Sequence, residues 1–245
     1  MRISGQNIKP ESQGYNHSAR EGRRRFIHWS IRAIGYRILF RFDRVEGLEN
    51  LPAQGPAILM MNHVALLDPV VVLSCVPRHI IPIAKAEGFR NPFFGPLMNV
   101  WQVIPIQRGE VDRQALRRML QVLDAGECLL MAPEGTRHPA LQQARPGVAY
   151  LAWRSAAPVV PVALEGTEGF PTLSRARWRR PGATVRLGTP FRFRPLPGRP
   201  GHDRLQQMMD EAMYVLAAML PASRRGEYAD LARATSETIE FLPRA

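Results

Sequence analysis

The chain has 245 residues, 45% of them hydrophobic and 22% charged, which is enough to bury one large core and excludes a fibrous or wholly disordered protein. Lys and Arg number 33 against 21 Asp and Glu, a formal net charge of +12, and only Lys9 and Lys85 are lysines. That imbalance implies an anionic partner: nucleic acid, an anionic membrane or a phosphorylated substrate. Cys75 and Cys128 sit in apolar runs without metal-ligand spacing. They read as core thiols of a reducing compartment rather than as a disulfide.

Residues 1–22 are polar and carry no apolar stretch of signal-peptide type, so they read as a disordered lead. Residues 23–44 follow with Ile27, Ile31, Ile34 and Ile38 at helical spacing, widened by Trp29, Tyr36 and Phe40 and interrupted by Arg32, Arg37 and Arg41. This basic, aromatic-rich pattern predicts an amphipathic helix, which serves equally on a membrane surface or packed on the chain's own core. Nowhere does an apolar run reach the roughly 18 residues that a spanning helix needs. The expected location is peripheral, on the cytoplasmic side of the cell membrane.

After a turn-rich stretch, Ala57–Met61 reads as a short buried strand running into Asn62-His63, and Pro69 opens a helix through Cys75. Ile80–Ala84 is a second strand ending at Lys85, Asn91–Asn99 an apolar turn or short helix, and Val103–Ile106 a third strand ending at Gln107-Arg108. Asp112–Ala125 has helical periodicity with Gly126 as its stop. Cys128–Ala132 is a fourth strand, ending at Pro133-Glu134-Gly135-Thr136-Arg137. A helix over 148–155, strands over 159–164 and 184–187, a helix over 203–220 and a further helix after Ala222 complete the order. Strands alternating with helices predict an α/β fold, a mostly central mixed sheet flanked by helices. The expected divisions are 45–200 as core and 201–245 as a helical extension.

Several strands end on polar or charged residues, and in open α/β sheets ligands bind beyond strand ends. His63 and Asp68 stand five residues apart in an apolar neighbourhood. A carboxylate there can orient the imidazole and leave its other nitrogen free to take a proton. Positions five apart in an ideal helix lie roughly 140° apart around the axis. For Asp68 to reach the imidazole, His63 must therefore precede the helix. A purely structural hydrogen bond is the equal alternative on spacing alone.

Four blocks occur in order: Asn62-His63 with Asp68, Ile104-Pro105-Ile106-Gln107-Arg108, Pro133-Glu134-Gly135-Thr136-Arg137, and Val160-Pro161-Val162. Together they resemble the glycerolipid acyltransferases of the 1-acyl-glycerol-3-phosphate acyltransferase family over about residues 45–190. The resemblance implies that His63 is the general base and Asp68 its orienter. It places Arg108 and Arg137 on the acceptor's phosphate, with Lys85 and Arg145 as further cations there. Glu134 would bind the glycerol hydroxyls or pair with Arg137, Gly135 would permit a turn, and Thr136 would cap it or touch substrate.

The implied reaction moves a fatty acyl group from acyl-CoA or acyl-carrier protein to 1-acyl-glycerol 3-phosphate at an anionic membrane surface, with no metal, no cofactor and no nucleic acid. Another lysolipid acceptor, such as a lyso-ornithine lipid, and a non-catalytic membrane- or nucleic-acid-binding module are the alternatives. Two departures from the family pattern stand out: Ala65 where many relatives have serine, and Ala132 where many have phenylalanine.

Overall fold

A computed structural model of the chain describes residues 39–92, 94–107 and 112–243, together with Gly22, Phe26, Trp29 and Ser30. The lead over 1–21 and most of the expected N-terminal helix lie outside these residues. The four described positions before Leu39 are helical, with Phe26 and Trp29 exposed.

Among the described residues, nine strands form one sheet. They are β1 (Phe42–Glu46), β2 (Ala57–Met61), β3 (Ile80–Lys85), β4 (Ile104–Ile106), β5 (Cys128–Met131), β6 (Val159–Glu165), β7 (Ala183–Leu187), β8 (Phe191–Phe193) and β9 (Ile239–Phe241). The order is β1-β7-β6-β2-β5-β3-β4, with β8 paired to β6 and β9 to β8. The helices are α1 (Asp68–Cys75), α2 (Phe94–Trp101), α3 (Arg113–Asp124), α4 (Gly147–Ser155), α5 (Arg175–Trp178) and α6 (His202–Ala218). This is the mixed α/β sheet flanked by helices that the alternation predicts.

Local chemistry explains the helix limits that were legible. The Asp112 side chain accepts from the Ala115 NH at 2.9 Å and so caps α3, while Gly126 follows it at φ 79°. Ser174 caps the short α5 in the same way. Central β2 is apolar at every position because both of its faces are covered. Ile58 and Met60 point to a core shared with α3, α4 and α6. Ala57, Leu59 and Met61 point to a second core with α1, Trp101, Phe170 and Val185.

β2 pairs parallel with β5 and β6, and β3 parallel with β5 and β4. Their C-terminal ends therefore share one edge of the sheet. On it, β2 stands between β6 and β5.

Two expectations are corrected. Residues 42–44, expected as the end of the N-terminal helix, are strand: β1 pairs parallel with β7, and the Ala183 NH donates to the Arg41 carbonyl at 2.6 Å. Burial of Phe40 edge-on against Phe42 fixes that start, with ring centroids 5.2 Å apart. Residues 201–245 are not a helical extension beyond the core. α6 is packed into the core through Met208, Met209, Met213 and Leu216.

After α6 the chain makes 3-10 turns around Pro221, Gly226 and Asp230 instead of another helix, and β9 rejoins the sheet. Proline and a left-handed glycine do not continue a helix. Buried Glu211 then gathers the return segment, accepting from Thr235 Oγ1 (2.8 Å), Thr238 NH (2.8 Å) and Thr238 Oγ1 (2.5 Å).

Candidate active site

The last residue before the chain leaves β2 shows how the departure is arranged. Asn62 is buried, and its side-chain amide pairs with both main-chain groups of Leu164, donating at 2.9 Å and accepting at 2.8 Å. The amide replaces the next ladder pair to β6, so the backbone can turn away at His63 without orphaning a buried polar group. Sequence reasoning saw Asn62 only as His63's neighbour. Its polar amide at the end of an otherwise apolar strand was the available signal.

His63 lies in the loop before α1 and Asp68 in that helix's first turn. Asp68 is fully buried, while the histidine side chain keeps 19% of its surface exposed. The two meet at 2.9 Å between Nδ1 and Asp68 Oδ2. The same oxygen accepts the NH of Val64 at 2.7 Å and of Ala65 at 2.8 Å. With the carboxylate as acceptor, the imidazole carries its proton on Nδ1 and leaves Nε2 as the free base. The main-chain donors stabilise the ionised carboxylate and hold it in place.

Neighbouring β5 ends in a tight turn. The Gly135 NH donates to the Ala132 carbonyl at 2.9 Å, and Gly135 sits at φ 68°, a left-handed backbone that favours glycine. The turn brings Glu134 inward, where it is 7% exposed. Its Oε2 accepts the Gln142 NH at 2.8 Å. Burial pushes the Glu134 carboxyl up to about 7, against the opposing hydrogen bonds from the main-chain NH groups of Gln142 and His63. The His138 NH donates to the His63 carbonyl at 2.9 Å. Both main-chain groups of His63 are thus held by the loop after β5. His138 and Gln142 act through their backbone, which gives no side-chain signal in sequence.

Arg137 and Arg145 are exposed in this loop, and Lys85 is exposed at the end of β3. None of the three makes a side-chain hydrogen bond or ion pair with the described residues. Thr136 is half-buried and caps no helix. Arg137 forms no pair with Glu134, whose carboxylate faces main chain instead. Arg108 lies outside the described residues; the strand that precedes it is β4.

Elsewhere arginines are committed to structure. Arg78 donates to the carbonyls of Pro52, Gly55 and Gly126 at 2.6–2.9 Å. Arg177 donates to those of Gly166, Glu168 and Pro181 and stacks on Phe170, 4.0 Å from the ring centre. The strand ends on this edge and the loop after β5 therefore carry an oriented base and three cations without a partner among the described residues. Such a set can deprotonate a hydroxyl on a molecule that carries an anionic group. Among the described residues no three His, Cys, Asp or Glu side chains gather as a metal-ligand set, and no helix is long and apolar enough to cross a membrane.

Known proteins resemble this chain in sequence and in fold. A chloroplastic 1-acyl-sn-glycerol-3-phosphate acyltransferase of Arabidopsis thaliana is 32% identical over 152 residues, 59% of this chain and 42% of that protein. The 1-acyl-sn-glycerol-3-phosphate acyltransferase of Bacillus subtilis is 24% identical over 168 residues, covering 68% of this chain and 82% of its own length. The chain thus spans less than half the length of the chloroplastic relative. The crystal structure of the 1-acyl-sn-glycerophosphate acyltransferase of Thermotoga maritima superposes with a TM-score of 0.58 over 90% of this chain and 86% of that one, at 22% identity, and so shares its fold. A family model described as Acyltransferase matches residues 43–165, half of the chain, with β2, His63, Asp68 and the loop after β5 inside it. The chain belongs to the acyltransferase family.

Proposed function

We propose that the chain transfers a fatty acyl group from a thioester donor, acyl-CoA or acyl-carrier protein, to the free hydroxyl of 1-acyl-glycerol 3-phosphate, giving phosphatidic acid. The observation that carries this reading is the His63–Asp68 pair at 2.9 Å, held at a sheet edge beside cations that have no partner among the described residues. Membership of the acyltransferase family and the names of the relatives support the choice of acyl transfer and of acceptor.

Nε2 of His63 takes the proton of the acceptor hydroxyl as its oxygen attacks the thioester carbonyl. The tetrahedral intermediate collapses with cleavage of the C–S bond, and the departing thiolate takes that proton back from the imidazolium. Asp68 holds the imidazole in the right tautomer and stabilises the transient positive charge. No acyl-enzyme is required, so Cys75 and Cys128 have no part. Arg137, Arg145 and Lys85 bind the acceptor's phosphate, with Arg108 expected to join them. Guanidinium forks suit phosphate oxygens, and the geometry would place the hydroxyl rather than merely attract the molecule.

The work takes place at the cytoplasmic face of a membrane, to which the protein binds peripherally. A net charge of +12 and a lipid acceptor both favour an anionic surface. Acyl transfer is tested by crossing acyl-CoA and acyl-carrier-protein donors with acceptors that carry or lack phosphate. Transfer to lysophosphatidic acid that fails with a phosphate-free acceptor is the expected result; equal rates on both would overturn the acceptor assignment. Docking is tested by deleting residues 1–38, which should release the protein from vesicles containing phosphatidylglycerol.

A further inference from the structure

The loop after β5 does not hold itself in place. Residues 133–146 carry Glu134, Arg137, His138 and Arg145 but contain neither helix nor strand. Their internal ties are the Glu134–Gln142 bond, short-range bonds from Gln142 Nε2 to the carbonyls of Ala140 and Leu141, and one from the Arg145 NH to the Pro133 carbonyl. Much of the rest comes from the far end of the chain.

Leu141 is buried, and both of its main-chain groups are taken by the segment after α6. Its NH donates to the Arg224 carbonyl at 2.9 Å, and its carbonyl accepts the Glu227 NH at 3.0 Å. Ala144 is held similarly: its NH donates to the Tyr228 phenol oxygen at 3.3 Å, and its carbonyl accepts Gln206 Nε2 at 3.1 Å. The Tyr228 hydroxyl donates onward to Asp210 Oδ1 at 3.1 Å.

Gly226 stands at φ 49°, and a Cβ built on it would lie 1.9 Å from the Leu141 carbonyl oxygen. The two backbones touch where only glycine fits. Arg224 reaches furthest. Its Nη1 donates to the Pro139 carbonyl at 2.7 Å, and its Nη2 pairs with Glu168 in the loop after β6. Because β5 and β6 flank β2 in the sheet, this one guanidinium ties together the loops on either side of the strand that presents His63.

We infer that residues 220–228 are a brace for the loop 133–146, and that Arg224 and Tyr228 are positioning residues that set where Arg137, Arg145 and the main chain of His63 sit. Residues 220–228 lie outside the 43–165 match, in the segment after α6. A loop carrying several binding groups is useful only when its geometry is held by its surroundings, and here external hydrogen bonds hold it. The effect on turnover rests on the proposed function; the effect on the loop does not.

Hydrogen exchange on the full chain, comparing wild type with R224M, Y228F and G226A, tests the brace directly. Amides of residues 135–145 should exchange about tenfold faster or more, while those of β1 and β7 stay as they were. Unchanged loop exchange in all three variants would overturn the inference. So would a uniform acceleration across the sheet, which would mean general stabilisation instead of local bracing. Y228F removes one hydroxyl and keeps the ring, so it remains informative should R224M fold poorly.

In the activity arm, the KM for lysophosphatidic acid should rise about five- to tenfold with the donor KM within about twofold. An unchanged acceptor KM in a variant with accelerated loop exchange would overturn the positioning role. A wild-type chain unable to acylate lysophosphatidic acid would defeat the proposed function, and the exchange arm would still decide the brace.

Discussion

Glu211 on α6 and Glu134 after β5 are both buried carboxylates that tie one segment of chain to another, yet they sit in opposite ionisation regimes. Burial pushes Glu211 up, but side-chain hydrogen bonds from Thr238 and Thr235 and main-chain bonds from Thr238 and Glu237 outweigh it, leaving its pKa below the usual glutamate value. For Glu134, burial prevails over two main-chain donors and the carboxyl rises to about 7. The lesson is that burial alone does not set a carboxylate's charge; the number and kind of donors facing it do. One region is a structural tie whose donors favour the carboxylate anion. The other lies at the candidate site and titrates near neutrality.

If the two regions differ in kind, variants should separate rate from stability. His63→Ala should lower acyl transfer by about 10²–10⁴-fold while urea unfolding stays close to wild type. A collapse of stability there would blur the comparison, because it would make the histidine a packing residue. Glu211→Ala should do the reverse. Stranding the buried Thr238 donors, and releasing that of exposed Thr235, should cost about 2–3 kcal/mol of unfolding free energy, and the molecules that remain folded should keep wild-type kcat/KM.

Arg137→Ala should leave stability unaltered and raise the KM for a phosphate-bearing acceptor roughly tenfold, the loss of about one charge-assisted contact. Steady-state kinetics with the donor saturating would measure it.

The smallest effect concerns pH. Glu134 keeps its proton in the folded state up to about 7, whereas an unfolded glutamate loses it near 4.5. Between those values the folded state binds more protons, so this group makes stability fall as pH rises. Glu134→Gln should flatten that decline in a series of thermal midpoints. Glu211 has the opposite sign: its stabilising contribution is present above the ordinary glutamate range and is lost as the pH falls through its lowered value. Glu211→Gln should therefore reduce the acid-side loss of stability. Equal slopes in both variants would erase the distinction between the regions.

Local pattern made much of the fold readable. Ala57–Met61 and Val159–Leu164 are apolar runs that only a twice-covered strand would carry, and Asp112 with Gly126 bounded α3. The need for His63 to precede its helix followed from helical geometry, and the structure places it in the loop before α1. By contrast, β1, β8 and β9 escaped notice. Each is short and of mixed polarity, and each is a strand because of what it pairs with: β1 with β7, β8 with β6, and β9 with β8.

Arginine shows the same limit most sharply. From the sequence alone Arg78, Arg137, Arg145, Arg177 and Arg224 are five similar positive charges in a chain of +12. Tertiary structure turns Arg78 and Arg177 inward onto carbonyls, sets Arg224 across two loops, and leaves Arg137 and Arg145 exposed. By itself the sequence determined which residues could make an oriented base and which could bind phosphate, because those capacities belong to side-chain chemistry and short spacing. The tertiary structure decided which cations stand uncommitted beside the base, and that segments more than 80 residues apart brace the loop that carries them. Those outcomes depend on which distant donors and acceptors come within hydrogen-bond reach, a property of the folded chain alone.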